Sequence, residues 1–129
     1  MILTGKIVHG KGLGRTVGMR TANLEFANIN LLPEEGVYAT RIRVNGKWFS
    51  AVTNVGRRPT VDQERDITVE TYILAFCEDI YGETVDLEVH KLLRPIRKFN
   101  SLEEVKEQVK IDVREAEAYF TKLAARESW

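Results

Sequence analysis

Residues 10–23, GKGLGRTVGMRTAN, crowd four glycines, several basic side chains and a Thr/Asn pair into one short stretch. Glycine permits positive φ angles and lets the backbone approach a ligand closely. Backbone N–H groups in such turns, with Lys and Arg beside them, favour anionic oxygens such as those of phosphates. The stretch therefore predicts a phosphate-handling loop, and the alternative is a flexible hairpin connection with solvated charges.

Two standard phosphate-binding motifs do not fit this stretch. No window supplies the G-x-x-x-x-G-K-[ST] pattern of a P-loop. In the dinucleotide pattern G-x-G-x-x-G, Gly12 and Gly14 are followed by Val17 where the third glycine is needed, and no helical pattern begins there. We therefore expect the loop to act without the helix N-terminus that those motifs use.

Oxygen-bearing side chains follow the glycines and recur in a later strand. Thr21 and Asn23 are alternate residues, so in an extended segment their oxygens project on one side and could ligate a hard cation held by phosphates. The alternative is that both satisfy local turn backbone. Glu70 shares a strand face with three large apolar or aromatic side chains, so it is either a functional carboxylate able to deprotonate an alcohol or a surface residue in an ion pair.

Three further places carry reactive or aromatic groups. They are the turn at Tyr81, the basic and aromatic set Arg94, Arg97 and Phe99, and His90. The first two are candidates for binding, and each also has an ordinary structural interpretation. His90 lies on the polar row of its strand, and we interpret it as a solvated histidine rather than a catalytic or metal-binding one.

Alternating and β-branched segments predict strands, which must position these groups. Asn45-Gly46 is the strongest hairpin signal in the chain. The pattern breaks at residues 56–60, and residues 61–66 resemble an exposed connection. The predicted strands cover residues 2–8, 24–32 (with a loop at its end), 37–44, 47–55, 67–76 and 84–92.

The period changes near the C-terminus. Ser101 and Glu104 form a capping box, and apolar residues then recur at three- and four-residue spacing as far as Leu123. A long amphipathic helix is therefore expected to cover the sheet. Strands followed by one helix indicate an antiparallel barrel or sandwich capped by that helix.

Composition limits the function classes. The 129 residues suit one domain, and 19 basic against 19 acidic residues leave no global field that favours nucleic acid or an anionic membrane. The single cysteine, Cys77, cannot form an internal disulfide, which fits a reducing compartment. We find no signal-peptide segment or membrane-spanning run, so a cytoplasmic protein is expected.

Six short motifs, weak singly, occur in an order and spacing that closely resemble the riboflavin kinase family over nearly the whole chain. The resemblance implies a mainly β fold, a six-stranded antiparallel Greek-key β-barrel with a long C-terminal α-helix. It also implies transfer of the ATP γ-phosphate to the 5′-hydroxyl of riboflavin, giving FMN. The motifs are residues 10–23, LP 32–33 with GVY 36–38, NVG 54–56 with PT 59–60, VETYIL 69–74, DIYG 79–82 and LRPIRKF 93–99.

The resemblance also implies residue roles. Glu70 matches the catalytic base, and Thr21 with Asn23 match the residues that bind Mg²⁺ and nucleotide. The flavin-holding positions are matched by Arg94, Arg97 and Phe99. The ATP-binding positions are matched by Gly10, Lys11, Gly12, Gly14, Arg15, Thr21, Asn23, Ile73, Ala75 and Tyr81.

The chain departs from the family in three ways, one of which is that Leu13 and Ile96 stand where many members have a basic and an acidic residue. Arg20 stands where the family has a proline, and arginine does not fix φ or restrict the preceding residue as proline does. The sequence contains no match to the N-terminal FAD-synthesising adenylyltransferase domain of many bacterial members, so it is expected to be either a stand-alone kinase or an excised domain with an added Met1. In both cases residues 1–129 are expected to form a single kinase-like domain that acts as a monomer on ATP and riboflavin, without nucleic acid or membrane. Arg20 and the single-domain length motivate one alternative, a catalytically weak flavin- or nucleotide-binding regulatory domain. A further alternative is a barrel interaction module without a small ligand.

Overall fold

Six strands close into a barrel, and one helix follows them. The computed structural model describes residues 2–8, 21–59, 65–74 and 82–127. Neighbouring strands pair antiparallel in the order β1-β2-β5-β4-β3-β6, in which β6 lies beside β3 as a Greek key requires. The predicted barrel with its C-terminal helix is thus confirmed. The elements are β1 (Ile2–Val8), β2 (Ala22–Phe26), β3 (Gly36–Val44), β4 (Lys47–Pro59), β5 (Arg65–Ile73), β6 (Thr84–Arg94) and α1 (Leu102–Glu127).

The hairpin between β3 and β4 forms where it was predicted. Asn45 and Gly46 both have positive φ, 52° and 78°. Positive φ at both central residues is the requirement of a type I′ turn, whose twist matches that of the strands it joins. This turn aligns β3 with β4 along nine residue pairs, from Val44 opposite Lys47 to Gly36 opposite Val55.

Two predicted boundaries are wrong at the other end of β4. The expected break at residues 56–60 is absent from residues 56–59, because β4 continues to Pro59 and pairs with β5 as far as Arg65. Backbone pairing with a neighbour extended these strands although the sequence there does not alternate apolar and polar residues. In contrast, β2 ends at Phe26 and a 3-10 turn follows at residues 29–31, which fits the predicted strand followed by a loop. The end of β5 was also predicted too late: the strand ends at Ile73, whereas the sequence predicted strand as far as residue 76.

The barrel interior holds apolar side chains from all six strands together with a short chain of hydroxyls. The Oγ1 atoms of Thr40 and Thr53 are 2.8 Å apart, and those of Thr53 and Thr71 are 2.9 Å apart. All three residues are buried. Each hydroxyl therefore has a partner, which removes the cost of an unpaired polar group in the core.

The helix α1 packs on the outer face of the barrel. Val37 and Val52 of the barrel meet Ala116 and Phe120 of the helix in a second apolar cluster. The capping box is present with one change: the Ser101 Oγ atom accepts a hydrogen bond from the Glu104 backbone N–H at 3.2 Å, but the Glu104 carboxylate accepts from the backbone N–H of residue 100 at 2.9 Å. None of the helices in the described residues is long and apolar enough to span a membrane.

The interpretation of His90 as a solvated strand residue is wrong. Its side chain is only 15% exposed, and its Nε2 atom bonds the carboxylate of Glu88. The Nδ1 atom lies 3.2 Å from the Tyr119 hydroxyl, and the ring packs edge-on against Phe120 with 5.0 Å between centroids. The helix α1 covers this part of β6, a tertiary contact that strand alternation does not reveal.

Asp86 links the strands at the seam where the barrel closes. Its Oδ1 atom accepts a hydrogen bond from Thr4 of β1 at 2.8 Å, and its Oδ2 atom accepts from the Nε atom of Arg43 of β3 at 2.9 Å. The hydrogen bond from Thr4, followed by that from Arg43, lowers the pKa of the Asp86 carboxyl. Three neighbouring strands thus share one ionised carboxylate.

We expect Asp86→Asn to lower the free energy of unfolding at neutral pH by up to about 1 kcal/mol, because exposed ion pairs contribute about that much at most. A lowered pKa stabilises the fold above the ordinary carboxyl pKa of about 3.9, and this contribution is lost as the pH falls through the folded value. Urea denaturation should therefore show the difference shrinking below about pH 3.9. The exposed Glu117→Gln serves as control, and a difference that persists unchanged in acid would contradict this role for Asp86.

Candidate active site

A single lateral row of paired residues crosses the outer face of five strands. Asn23 of β2 lies opposite Glu70 of β5, Glu70 opposite Asn54 of β4, Asn54 opposite Val37 of β3, and Val37 opposite Arg94 of β6. Because the barrel is closed, the lateral row curves around its surface over four strand spacings of about 4.8 Å each, a path of about 19 Å. Three of the residues that the sequence selected, from distant parts of the chain, are thus brought into one line.

Glu70 projects outward from the barrel. Its neighbours Val69 and Thr71 are 3% and 0% exposed and face the interior, so alternation directs Glu70 to the outer face, where it is half-buried. Within the ranges that the structure describes, no ion pair or hydrogen bond engages its carboxylate. The interpretation of Glu70 as a surface ion-pair residue therefore finds no partner among the described side chains.

Thr21 and Asn23 occupy the entry to β2. Ala22 packs against the barrel core, which places Asn23 on the outer face directly opposite Glu70. Hydroxyl, amide and carboxylate oxygens suit Mg²⁺, which commonly takes one or two protein oxygens and completes its shell with water and phosphate. This donor chemistry therefore fits a magnesium ion that arrives with a nucleotide. The described side chains include no group of three or more His, Cys, Asp or Glu residues able to hold a metal by themselves.

Arg94, at the other end of the lateral row, is held by the helix. Its Nε and Nη2 atoms each donate to an oxygen of Asp112, both at 2.9 Å. Asp112 is 1% exposed and also accepts a hydrogen bond from the Gln108 side chain at 3.1 Å. Asp112 is not among the site residues predicted from the sequence. A signal was available, because Asp112 lies three residues after Val109 and four before Ala116, and so on the apolar stripe of α1.

The three predicted flavin-holding residues lie together. The guanidinium carbon of Arg97 is 4.7 Å from the Phe99 ring centroid, and that of Arg94 is 5.7 Å from it. Such distances allow cation–π attraction. The segment after β6 therefore presents an aromatic ring close to two guanidinium groups, of which that of Arg94 is anchored to Asp112.

The remaining predicted site residues divide into two groups. Ile73 lies in the barrel core and is 6% exposed. The flanks of the two undescribed stretches 9–20 and 75–81 meet at one end of the barrel, since Ile7 and Gly82 are joined by a backbone hydrogen bond of 3.0 Å. The predicted residues outside the described ranges are Gly10, Lys11, Gly12, Gly14, Arg15, Ala75 and Tyr81.

Fold and site together define a closed antiparallel barrel with a capping helix and one polar, carboxylate-bearing row on its outer face. The family model for flavokinase, described as riboflavin kinase, matches residues 1–120. This chain belongs to the riboflavin kinase family.

Similar proteins agree with this membership. The chain is 37% identical over 123 residues to a bifunctional riboflavin kinase/FMN adenylyltransferase of Bacillus subtilis strain 168, covering 94% of this chain and 39% of that relative. It therefore spans about two fifths of the length of this curated relative. The crystal structure of riboflavin kinase from Trypanosoma brucei is similar with a TM-score of 0.67 and 25% identity, covering 98% of this chain and 83% of that one. A Streptococcus pneumoniae structure described as a macrolide-efflux protein has a TM-score of 0.86 and 33% identity, covering 90% of this chain and 38% of that one.

We expect Asp112→Ala to lower the free energy of unfolding by about 3 kcal/mol, because it leaves the Arg94 guanidinium at the helix–barrel boundary without its counter-charge. Urea denaturation followed by helical circular dichroism measures this change. Glu107→Ala is the matched control, since Glu107 and Lys110 form an exposed pair and its loss should cost less than about 0.5 kcal/mol. Equal stability of the two variants would contradict an anchoring role for Asp112.

Proposed function

We propose that this chain transfers the γ-phosphoryl group of ATP to the 5′-hydroxyl of riboflavin, giving FMN and ADP. The observation that carries the proposal is the lateral row, which puts a candidate nucleotide ligand (Asn23), a carboxylate (Glu70) and a flavin-segment residue (Arg94) along one outer face. Membership of the riboflavin kinase family supports the same reaction. The alternative of a catalytically weak regulatory domain is not favoured by these similarities.

The two substrates are assigned to opposite ends of the lateral row. ATP belongs at the β2 end, where the glycine-rich stretch runs directly into Thr21 and Asn23. Riboflavin belongs at the β6 end, where Phe99 and its flanking guanidinium groups offer a flat surface for an isoalloxazine ring. Because its charge is already neutralised by Asp112, the Arg94 side chain acts as a fixed wall of the flavin site. The ribityl chain then reaches from this segment toward Glu70.

The mechanism needs one proton acceptor and accurate positioning. The riboflavin 5′-oxygen attacks the γ-phosphorus, the bond from that phosphorus to the β-phosphate oxygen breaks, and the Glu70 carboxylate accepts the hydroxyl proton. In phosphoryl transfer most of the rate enhancement comes from alignment of the reactants and electrostatic stabilisation. Here the barrel provides alignment, because Glu70 lies on a strand paired on both sides.

A magnesium ion bound with ATP would be held by the oxygens of Thr21 and Asn23, and it would neutralise charge on the β- and γ-phosphates. The Asn23 side chain also faces the Glu70 position directly across the strand pair. The residues on β2 therefore bind the phosphate end of the nucleotide next to the proposed base.

We expect Glu70→Gln to reduce kcat for FMN formation by about 10²- to 10⁴-fold, the usual contribution of a general base. Binding of riboflavin and ATP should be nearly unchanged, because the amide keeps the size and polarity of the carboxylate. The assay incubates protein with riboflavin, ATP and Mg²⁺ and separates FMN chromatographically.

Glu25→Gln is the matched control, because it replaces a carboxylate by an amide in the same way, at an exposed position of β2 outside the lateral row. Its turnover should equal that of the unaltered protein. Unimpaired turnover in Glu70→Gln would remove Glu70 from the proposed role, and absence of FMN with the unaltered protein would refute the proposed function itself.

A further inference from the structure

Asn54 stands in the lateral row between Glu70 and the helix-covered Val37. Its sequence neighbours Thr53 and Val55 are buried in the barrel, whereas Asn54 is exposed, so its carboxamide projects from the outer face. Directly opposed residues of antiparallel strands have Cβ atoms about 4.5–5.5 Å apart. The Asn54 carboxamide and the Glu70 carboxylate therefore border the same small region of surface.

The residues around Asn54 cover it on one side and leave its other sides accessible to a ligand. On its β3 side, Val37 packs in the cluster beneath Ala116 and Phe120 of α1, so that side is closed. Along β4, the next outward position is Gly56, which carries no side chain. Asn54 thus marks the border between the covered and the open parts of the outer face.

The strand register places Asn54 beside the reacting hydroxyl. A ligand whose terminal hydroxyl lies at the Glu70 carboxylate has its adjoining atoms within reach of Asn54, the outward polar side chain directly opposite on β4. Its carboxamide offers two N–H donors and one acceptor oxygen, a set that matches neighbouring hydroxyls, each of which both donates and accepts.

We propose that Asn54 binds the hydroxyl groups of the acceptor chain next to the reacting hydroxyl, and so holds that hydroxyl at Glu70. The inference rests on the proposed function, since it takes the polyol side chain of a flavin as the acceptor. It assigns to β4 a substrate-binding role that is separate from proton transfer at β5 and from the nucleotide site at β2.

The test compares two ligands and two proteins. The ligands are riboflavin and an analogue whose side chain keeps the terminal hydroxyl and lacks the internal ones. Asn54→Ala should weaken riboflavin binding and lower kcat/KM for riboflavin by about tenfold to a hundredfold, as expected for one or two lost hydrogen bonds. The analogue should bind both proteins equally, and KM for ATP should stay within twofold. Flavin fluorescence quenching, with and without a non-hydrolysable ATP analogue and Mg²⁺, measures binding.

Asn30→Ala, at an exposed position of the 3-10 turn, is the matched control and should change none of these constants. An equal loss for riboflavin and the analogue in Asn54→Ala would overturn the inference, because it would show that Asn54 acts without touching the internal hydroxyls. Unchanged riboflavin binding would overturn it as well. A protein that binds riboflavin but forms no FMN would refute the proposed function, while the binding comparison would still decide the role of Asn54.

Discussion

The pairing register of β5 between β2 and β4 is the constraint on which the candidate site depends. Side chains alternate along a strand, so a shift of one residue would turn Glu70 into the barrel and expose Val69 and Thr71. Burying a lone carboxylate and exposing that face would both be unfavourable. The hydrogen bond between Thr53 and Thr71 inside the barrel further matches the two strands at this level. The outward position of the Glu70 carboxylate therefore follows from the requirement that Val69 and Thr71 fill the barrel interior.

The helix completes the site from the opposite side. Asp112 brings a buried charge to the barrel surface and meets the Arg94 guanidinium with two parallel hydrogen bonds. Such buried pairs add little net stability compared with apolar packing, but they form only when the two groups are correctly oriented. The pair therefore joins α1 to the end of β6 in one arrangement, and the aromatic segment that follows keeps a defined position relative to the lateral row.

Much of the local structure could be predicted because its causes are local. The Asn45-Gly46 turn and the Ser101 cap each depend on a few neighbouring residues, and the structure contains both. The errors share one origin. β4 continued past Gly56 because a neighbouring strand supplied partners, and His90 was removed from solvent because the helix packed over it.

The amino-acid sequence by itself determined which chemical groups are available and which of them share a strand face: Thr21 with Asn23, and Glu70 with Thr68 and Tyr72 on β5. Only the tertiary structure decided that Asn23, Glu70, Asn54 and Arg94 form one lateral row and that Asp112 closes its end. The physical reason is that these residues are far apart in the chain. Their alignment is set by barrel closure and core packing, which sum contributions from all six strands.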